Sequence, residues 1–276
     1  MSGKLYVVGT PIGNLEDFSP RAVRILSEAD FIAAEDTRVT LKLLNRFEIK
    51  KELVSYYEHN KNDKGQWILD RIAKGEVCAL VSDAGMPAIS DPGEELVRAA
   101  HENGIAVESV PGPSALITAL SISGMPSGRF CFEGFLSVNK VSRKAHLEEV
   151  AREKRPMILY EAPHRIKETL EMLNDIMPNR HIVLARELTK KYEEYLRGTP
   201  IEILDVVNEL KGEMVIIISG CSDEEKNENL LNLTIKEHYK YYLESGYDQK
   251  EALKKVAKDR NTSKSNIYQE VLGKNK

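Results

Sequence analysis

Five short apolar runs recur through the first 112 residues, separated by amphipathic stretches, and three of them end in loops built on glycine and proline. The runs are "KLYVVG" (4–9), "ADFIAAED" (29–36), "ELVSYY" (52–57), "VCALVSDAG" (77–85) and "AVESVPG" (106–112). They are β-branched or continuously apolar, as expected of strands covered on both faces. Strand alternating with helix predicts a largely parallel sheet with helices packed on it. The helix signals agree. In "SPRAVRILSEA", Ser19 is the expected N-cap and Pro20 the first helical residue. In "DPGEELVRAAHENG", Asp91 is the expected N-cap, Pro92 follows, Glu94 holds the capping-box position and Gly104 the stop.

From about Ser127 the pattern changes. Strands are expected at "RFCFEGF", "PMILYEA", "HIVLARE", "YEEYLRG" and "EMVIIISG", and helices at "RKAHLEEVAREK" (143–154), "RIKETLEMLNDIM" (165–177) and "TPIEILDVVNELKG" (199–212). Strands outnumber helices, and "HIVLARELTKKYEEYLRG" reads as two strands joined by a short charged connection. A mixed sheet with an antiparallel portion follows. The fold class is therefore α/β, with two α/β domains over 1–120 and 121–220. The acidic, aperiodic segment 221–232 reads as a linker. Residues 233–276 read as three short helices, with Thr234 and Glu237 as a capping box, in a helix-turn-helix-sized module.

Charge separates the body from this tail. The net charge of −4 excludes an overall basic, nucleic-acid-coating protein. Yet residues 1–232 carry 29 Lys+Arg against 37 Asp+Glu, whereas 233–276 carry 10 against 6. The tail's apolar face is Ala252, Val256, Ile267 and Val271. Its polar face holds Lys254, Lys255, Lys258, Arg260 and Lys264, either as a solvated surface or as contacts to phosphate. Cys78, Cys131 and Cys221 form no CxxC pair and read as small buried hydrophobes in a reducing compartment. No metal-ligand set stands out. The start "MSGKLYVVG" reads as a strand rather than a signal peptide, and no apolar run reaches the ~18 residues of a membrane span. The expected compartment is the cytoplasm.

The loops point to chemistry. "VVGTPIGN" is neither a P-loop nor GxGxxG, but Gly9, Pro11 and Gly13 are expected to let a ligand approach the backbone at a strand's carboxyl end. "SDAGMPAISDPG" (82–93) and "VPGPSALITAL" (110–120) end two further strands, and the helix start at Ser114 and Ala115 offers N–H groups to a carboxylate. In "AAEDTR", either Asp36 or Thr37 caps a helix with Arg38 paired to a carboxylate, or the cluster of Glu35, Asp36 and Arg38 faces a ligand. Glu161, His164, Arg165, Arg186 and Glu187 in "LYEAPHR" and "LARELTK" fit an ion-pair network or a site.

Taken in order over roughly 1–220, "LYVVGTPIGNLEDFSPRAVRILSEADFIAAEDTR", "SDAGMPAISDPGEELV", "VPGPSALITALSISGMP", "FEGFL", "LYEAPHRI", "LARELTKKYEEYLRGT" and "GEMVIIISG" resemble the tetrapyrrole methylase superfamily. Within it they resemble the ribosomal small-subunit RNA methyltransferase I family, whose helical RNA-binding domain the tail is similar to. The resemblance implies a homodimer with S-adenosylmethionine folded into the cleft between two α/β domains. It implies 2′-O-methylation of a cytidine ribose in the decoding region of 16S rRNA, free or in the 30S subunit. By matching position, the donor would meet Ile12, Gly85, Met86, Ile89, Ser114 and Ala115 from the first domain. From the second it would meet Tyr160, Glu161, Ala162, Glu213 and Met214. Branches acting on porphyrin precursors usually carry an acidic residue where this chain has Met86, which argues against a tetrapyrrole substrate. Asp83 and Glu161 are the candidate proton acceptors, and Arg38 and Arg186 candidate phosphate contacts. The alternatives are a tetrapyrrole or protein side chain as substrate, or a non-catalytic nucleic-acid-binding regulator.

Overall fold

The computed structural model describes residues 3–207, 212–222 and 230–272. The first sheet holds β1 (Lys4–Val8), β2 (Phe31–Ala34), β3 (Glu52–Ser55), β4 (Val77–Val81) and β5 (Ala106–Val110), in the order β3-β2-β4-β1-β5. All four pairings are parallel. The alternation of side chains across each strand explains why these runs are apolar throughout. Ile32, Ala34, Ala79 and Val81 pack under α1 (Pro20–Glu28) and α2 (Thr37–Arg46). Phe31, Ala33, Cys78 and Leu80 pack under α3 (Lys61–Ala73) and α4 (Gly93–Glu102) on the other face. Cys78 is a buried free thiol, pushed up to about 12 by burial, so it stays protonated. Cys221 is buried as well, but Cys131 is only half-buried.

Ser19 caps α1 through its hydroxyl, with Pro20 in the first turn. α4 departs from expectation. It starts at Gly93 with no side-chain cap, because Asp91 accepts N–H bonds from both Ala88 and Gly93 and closes the preceding loop instead. Glu94 takes no capping-box role.

α5 (Ala115–Ser123) follows the first sheet in sequence but packs on the second, with Leu116, Ala119 and Leu120 against Ile158, Val183, Ala185, Val215 and Ile217. A unit boundary at 120 would cut this helix. The second sheet holds β6 (Cys131–Phe135), β7 (Met157–Glu161), β8 (Ile182–Arg186), β9 (Glu194–Gly198) and β10 (Met214–Ile218), in the order β6-β7-β10-β8-β9. It is mixed: β6 and β7 run parallel, and the remaining pairs are antiparallel. The charged hairpin is β8–β9, with Ile182 opposite Gly198. Its far face is covered by α6 (Lys140–Val150), α7 (Ile166–Ile176) and α8 (Pro200–Val206) through Leu147, Leu170, Leu173 and Ile203. α6 begins three residues before the expected start, because the Asn139 side chain accepts from Val141 and Ser142 N–H. The end of the expected 199–212 helix (208–211) and most of the expected linker (223–229) lie outside the described residues.

The tail forms α9 (Ile235–Glu244), α10 (Gln249–Asp259) and α11 (Lys264–Leu272) around Tyr239, Tyr242, Ala252, Leu253, Val256, Ala257 and Ile267. Thr234 and Glu237 make the expected capping box, worth about 1 kcal/mol to a marginal helix. Among the described residues no helix is long and apolar enough to cross a membrane.

Candidate active site

The loops after β1, β4 and β5 meet at one edge of the first sheet, but the glycines serve a different purpose from the one expected. A Cβ on Gly9 would fall 2.7 Å from the Gly112 Cα and 2.7 Å from the Met86 sulfur. A Cβ on Gly13 would fall 2.6 Å from Lys190 Cγ and 2.8 Å from Thr189 Oγ1, in the β8–β9 connection. What approaches these backbones is another loop, and no space is left for a ligand there. The β1 loop is fastened to the β4 loop by Thr10 N–H to Gly85 O (2.9 Å) and Gly85 N–H to Thr10 O (3.2 Å). Gly9 N–H bonds to Val110 O at 3.0 Å. The stretch 82–93 bends through left-handed conformations at Gly85 (φ 86°), Ala88 (φ 66°) and Ser90 (φ 68°). The two non-glycine positions carry backbone strain, which the Asp91 carboxylate holds in place.

Beside these loops a cavity of about 400 Å³ opens between the two sheets. That volume suits a small molecule of cofactor size. Ile12, Gly85, Met86, Ile89, Ser114 and Ala115 line it from the first half. Tyr160, Glu161, Ala162 and Glu213 line it from the second. Met214 does not. Alternation along β10 sends Met214 into the core beneath α7 and brings Val215 to the cavity wall. Glu35, one of the two readings left open for "AAEDTR", also lines it, and Ser82, Ala84, Phe135, Pro163 and Leu188 line it without having been singled out as site residues. The "AAEDTR" strand end signalled Glu35. Phe135 and Leu188 lie within the quoted "FEGFL" and "LARELTK" stretches, but nothing in those stretches singles them out, and tertiary packing brings them here.

The wall combines apolar side chains with carboxylates, a donor set that fits an apolar ring and a cationic centre. Glu35 has its pKa raised by burial and then by repulsion from Asp83 and Asp91. Asp83 is raised by burial, although one of its oxygens accepts the Asp36 N–H at 2.9 Å. Asp36 caps α2 and pairs with Arg38, which holds its carboxyl well below the usual range. Glu161 is different. It is 2% exposed, accepts from Thr169 Oγ1 (2.6 Å) and Ala162 N–H (2.8 Å), and lies 3.4 Å from Arg165 Nε. Its oxygens are already held by donors. At the start of α5, Ser114 makes no side-chain cap, and the Tyr160 hydroxyl accepts the Leu116 N–H at 3.3 Å. Tyr160 therefore takes the Leu116 N–H, the next donor along the helix from the Ser114 and Ala115 groups expected to meet an anion.

The expected phosphate contacts divide. Lys254, Lys258 and Lys264 are exposed on the tail helices, and Arg38 is 86% exposed beside the cavity loops. Arg186 is engaged with Glu194 at 2.6 Å across the β8–β9 hairpin. Lys255 lies over the Tyr247 ring at 4.5 Å. Arg260 points inward, bonding His238 Nδ1 (3.1 Å) and the carbonyls of Leu230 and Leu233. Its planar fork satisfies carbonyls at the start of the module and leaves little for RNA. His164 is exposed, and Arg165 is turned toward Glu161 and the Leu136 and Ser137 carbonyls. Glu187 pairs with Lys190 at 2.9 Å.

Comparison with known proteins agrees with this geometry. The family model for tetrapyrrole (corrin/porphyrin) methylases matches residues 4–203. The chain is 50% identical over 270 residues to a ribosomal RNA small subunit methyltransferase I of Halalkalibacterium halodurans, covering 96% of this chain and 93% of that one. It is 46% identical to the protein of the same name from Bacillus subtilis, over 96% and 93%. Among solved structures, it is similar to diphthine synthase, with a TM-score of 0.61 at 14% identity over 81% of this chain and 92% of that one. It is also similar to uroporphyrin-III-C-methyltransferase from Thermus thermophilus, with a TM-score of 0.57 at 20% identity over 79% and 94%. These structures share the fold alone. The chain belongs to the tetrapyrrole methylases and, within them, to the ribosomal RNA small subunit methyltransferase I family.

Proposed function

We propose that this protein methylates the 2′-hydroxyl of a cytidine ribose in the decoding region of 16S rRNA, at cytidine 1402, with S-adenosylmethionine as donor. The observation that carries the reading is the match, over 96% of the chain, to an rRNA small subunit methyltransferase I, on a chain whose cavity is walled by both apolar groups and carboxylates. S-Adenosylmethionine is the cofactor. When bound, it supplies an electrophilic methyl on a cationic sulfur. Ile12, Met86 and Ile89 would cover its apolar parts, and Ser114 with the start of α5 would hold its carboxylate. The chain's principal contribution is then positioning, which supplies up to about 7–11 kcal/mol in ideal cases.

The ribose hydroxyl must lose a proton. Asp83 is the better acceptor of the two expected carboxylates, because it lines the cavity with one oxygen bonded to Asp36 N–H, whereas Glu161 is held from both sides. Lys254, Lys258, Lys264 and Arg38 would meet phosphates. The working form is a homodimer in the cytoplasm, acting on rRNA or the 30S subunit.

Small subunits from a strain lacking the enzyme, incubated with labelled donor and mapped by nuclease digestion, test the reading. Label on a base, or at a ribose outside the decoding region, would overturn it. An Asp83→Asn enzyme that binds donor and RNA and turns over at the wild-type rate would remove Asp83 as base.

A further inference from the structure

We propose that the Phe135 ring, at the mouth of the cavity, is the stacking platform for an unpaired nucleobase of the RNA substrate; this rests on the rRNA reading above. The register of β6 against β7 is the first observation. Cys131 pairs with Met157 and Phe132 with Ile158, but the next partners are Gly134 with Leu159 and Phe135 with Tyr160. Glu133 and Gly134 thus share one step. In an unbroken strand, residues 132 and 135 would face opposite sides. The extra residue puts both on the Tyr160 side, with ring centroids 5.0 Å (Phe132) and 5.4 Å (Phe135) from Tyr160. Gly134 has φ 63°, a left-handed conformation that glycine adopts without strain. Bulges beside active sites re-aim side chains, and this one turns Phe135 into the cavity wall.

The second observation is that the ring is fixed but uncovered. Phe135 is 57% exposed. Behind it stands Tyr160, itself fixed by Phe132 and by the Leu116 N–H. The chain immediately after it is anchored by Leu136, 2% exposed, and by Arg165, which donates to the Leu136 and Ser137 carbonyls at 2.8 and 3.0 Å. Leaving an aromatic face open to water at this cost in order is explained by a flat partner. Bases of single-stranded RNA stack on such rings when splayed out for recognition. Lys140 lies five residues on, 74% exposed, in a long 3.8 Å ion pair with the partly exposed Glu168; an exposed pair of this kind is weak enough for a phosphate to compete for the lysine. The donor's apolar parts have their own cover in Ile12, Met86 and Ile89, so the outer ring is left for the acceptor strand.

The test uses the full chain and small subunits from a strain lacking the enzyme. KM for the subunit and the calorimetric Kd for S-adenosylmethionine are measured for wild type, Phe135→Ala, Phe135→Leu and Phe135→Trp. Stacking predicts that Ala and Leu raise the RNA KM by about 5- to 150-fold, that Trp restores it, and that donor Kd is unchanged throughout. A leucine variant with wild-type KM would show that apolar bulk suffices and overturn the proposal. So would a rise in donor Kd with unchanged RNA KM, or no change in either. Wild-type turnover on these subunits is read first; its absence would refute the rRNA reading itself, independently of the variant ratios.

Discussion

Replacing Thr169 by valine isolates one bond under the cavity floor. Thr169 is fully buried, and its hydroxyl donates to Glu161 Oε2 at 2.6 Å. Glu161 is 2% exposed, and its other oxygen is met by Ala162 N–H and Arg165. Valine keeps the shape and removes the donor, leaving a charged oxygen buried and short of a partner. Hydrogen bonds to charged groups contribute about 1.5–3 kcal/mol, so Thr169→Val should lower stability by that amount. Thr169→Ser keeps the hydroxyl and should lose only about 0.8 kcal/mol for the methyl. The assay is urea unfolding followed by circular dichroism. In a double-mutant cycle with Glu161→Gln, the two changes should be non-additive by more than about 0.5 kcal/mol. A Thr169→Val protein as stable as wild type, or a serine variant no better than valine, would refute the account of Glu161 as a braced carboxylate.

Gly9→Ala should weaken donor binding by calorimetry and cost about 1–3 kcal/mol, since its Cβ meets the Gly112 backbone at 2.7 Å and one of the two loops must move; unchanged affinity would show that the loops adjust freely. Lys254→Ala and Lys258→Ala should each lower the slope of log affinity against log salt for RNA by about 1, whereas Arg260→Ala should unfold the tail, seen as faster hydrogen exchange over 235–272. His238 is fully buried beside Asp259, Arg260 and Tyr242, and burial lowers its pKa from 6.5. The unfolded tail therefore binds the proton more readily, so the module's stability is full above about pH 6.5 and is lost as pH falls through the folded value. His238→Gln should flatten that pH dependence of exchange; an unchanged slope would place its origin elsewhere.

The parallel sheet was legible because strands covered on both faces leave long apolar runs, and Ser19–Pro20 and Thr234–Glu237 carry local helix-start chemistry that does not depend on the rest of the chain. The loops after β1, β4 and β5 were legible as a group for the same reason. What their glycines were for was not. Gly9 against Gly112 and Gly13 against Thr189 are contacts between segments about 100 or more residues apart, and composition does not distinguish room for a ligand from room for another loop. Met214 against Val215 was missed by one residue, which in a strand is the whole difference between core and cavity. Arg260 looked like its lysine neighbours because a helix face is drawn from sequence spacing, whereas its destination was set by carbonyls at 230 and 233.

The path of α5 has a consequence for synthesis. Its apolar face, Leu116, Ala119 and Leu120, finds its partners at positions 158 to 217, which leave the ribosome long after it does. During that interval the first sheet is already complete, yet it carries a greasy appendage that lacks most of its cover. Transient apolar exposure of this kind invites aggregation or a holding chaperone. A chain truncated before β10 should therefore be poorly soluble even though all five strands of its first sheet are present.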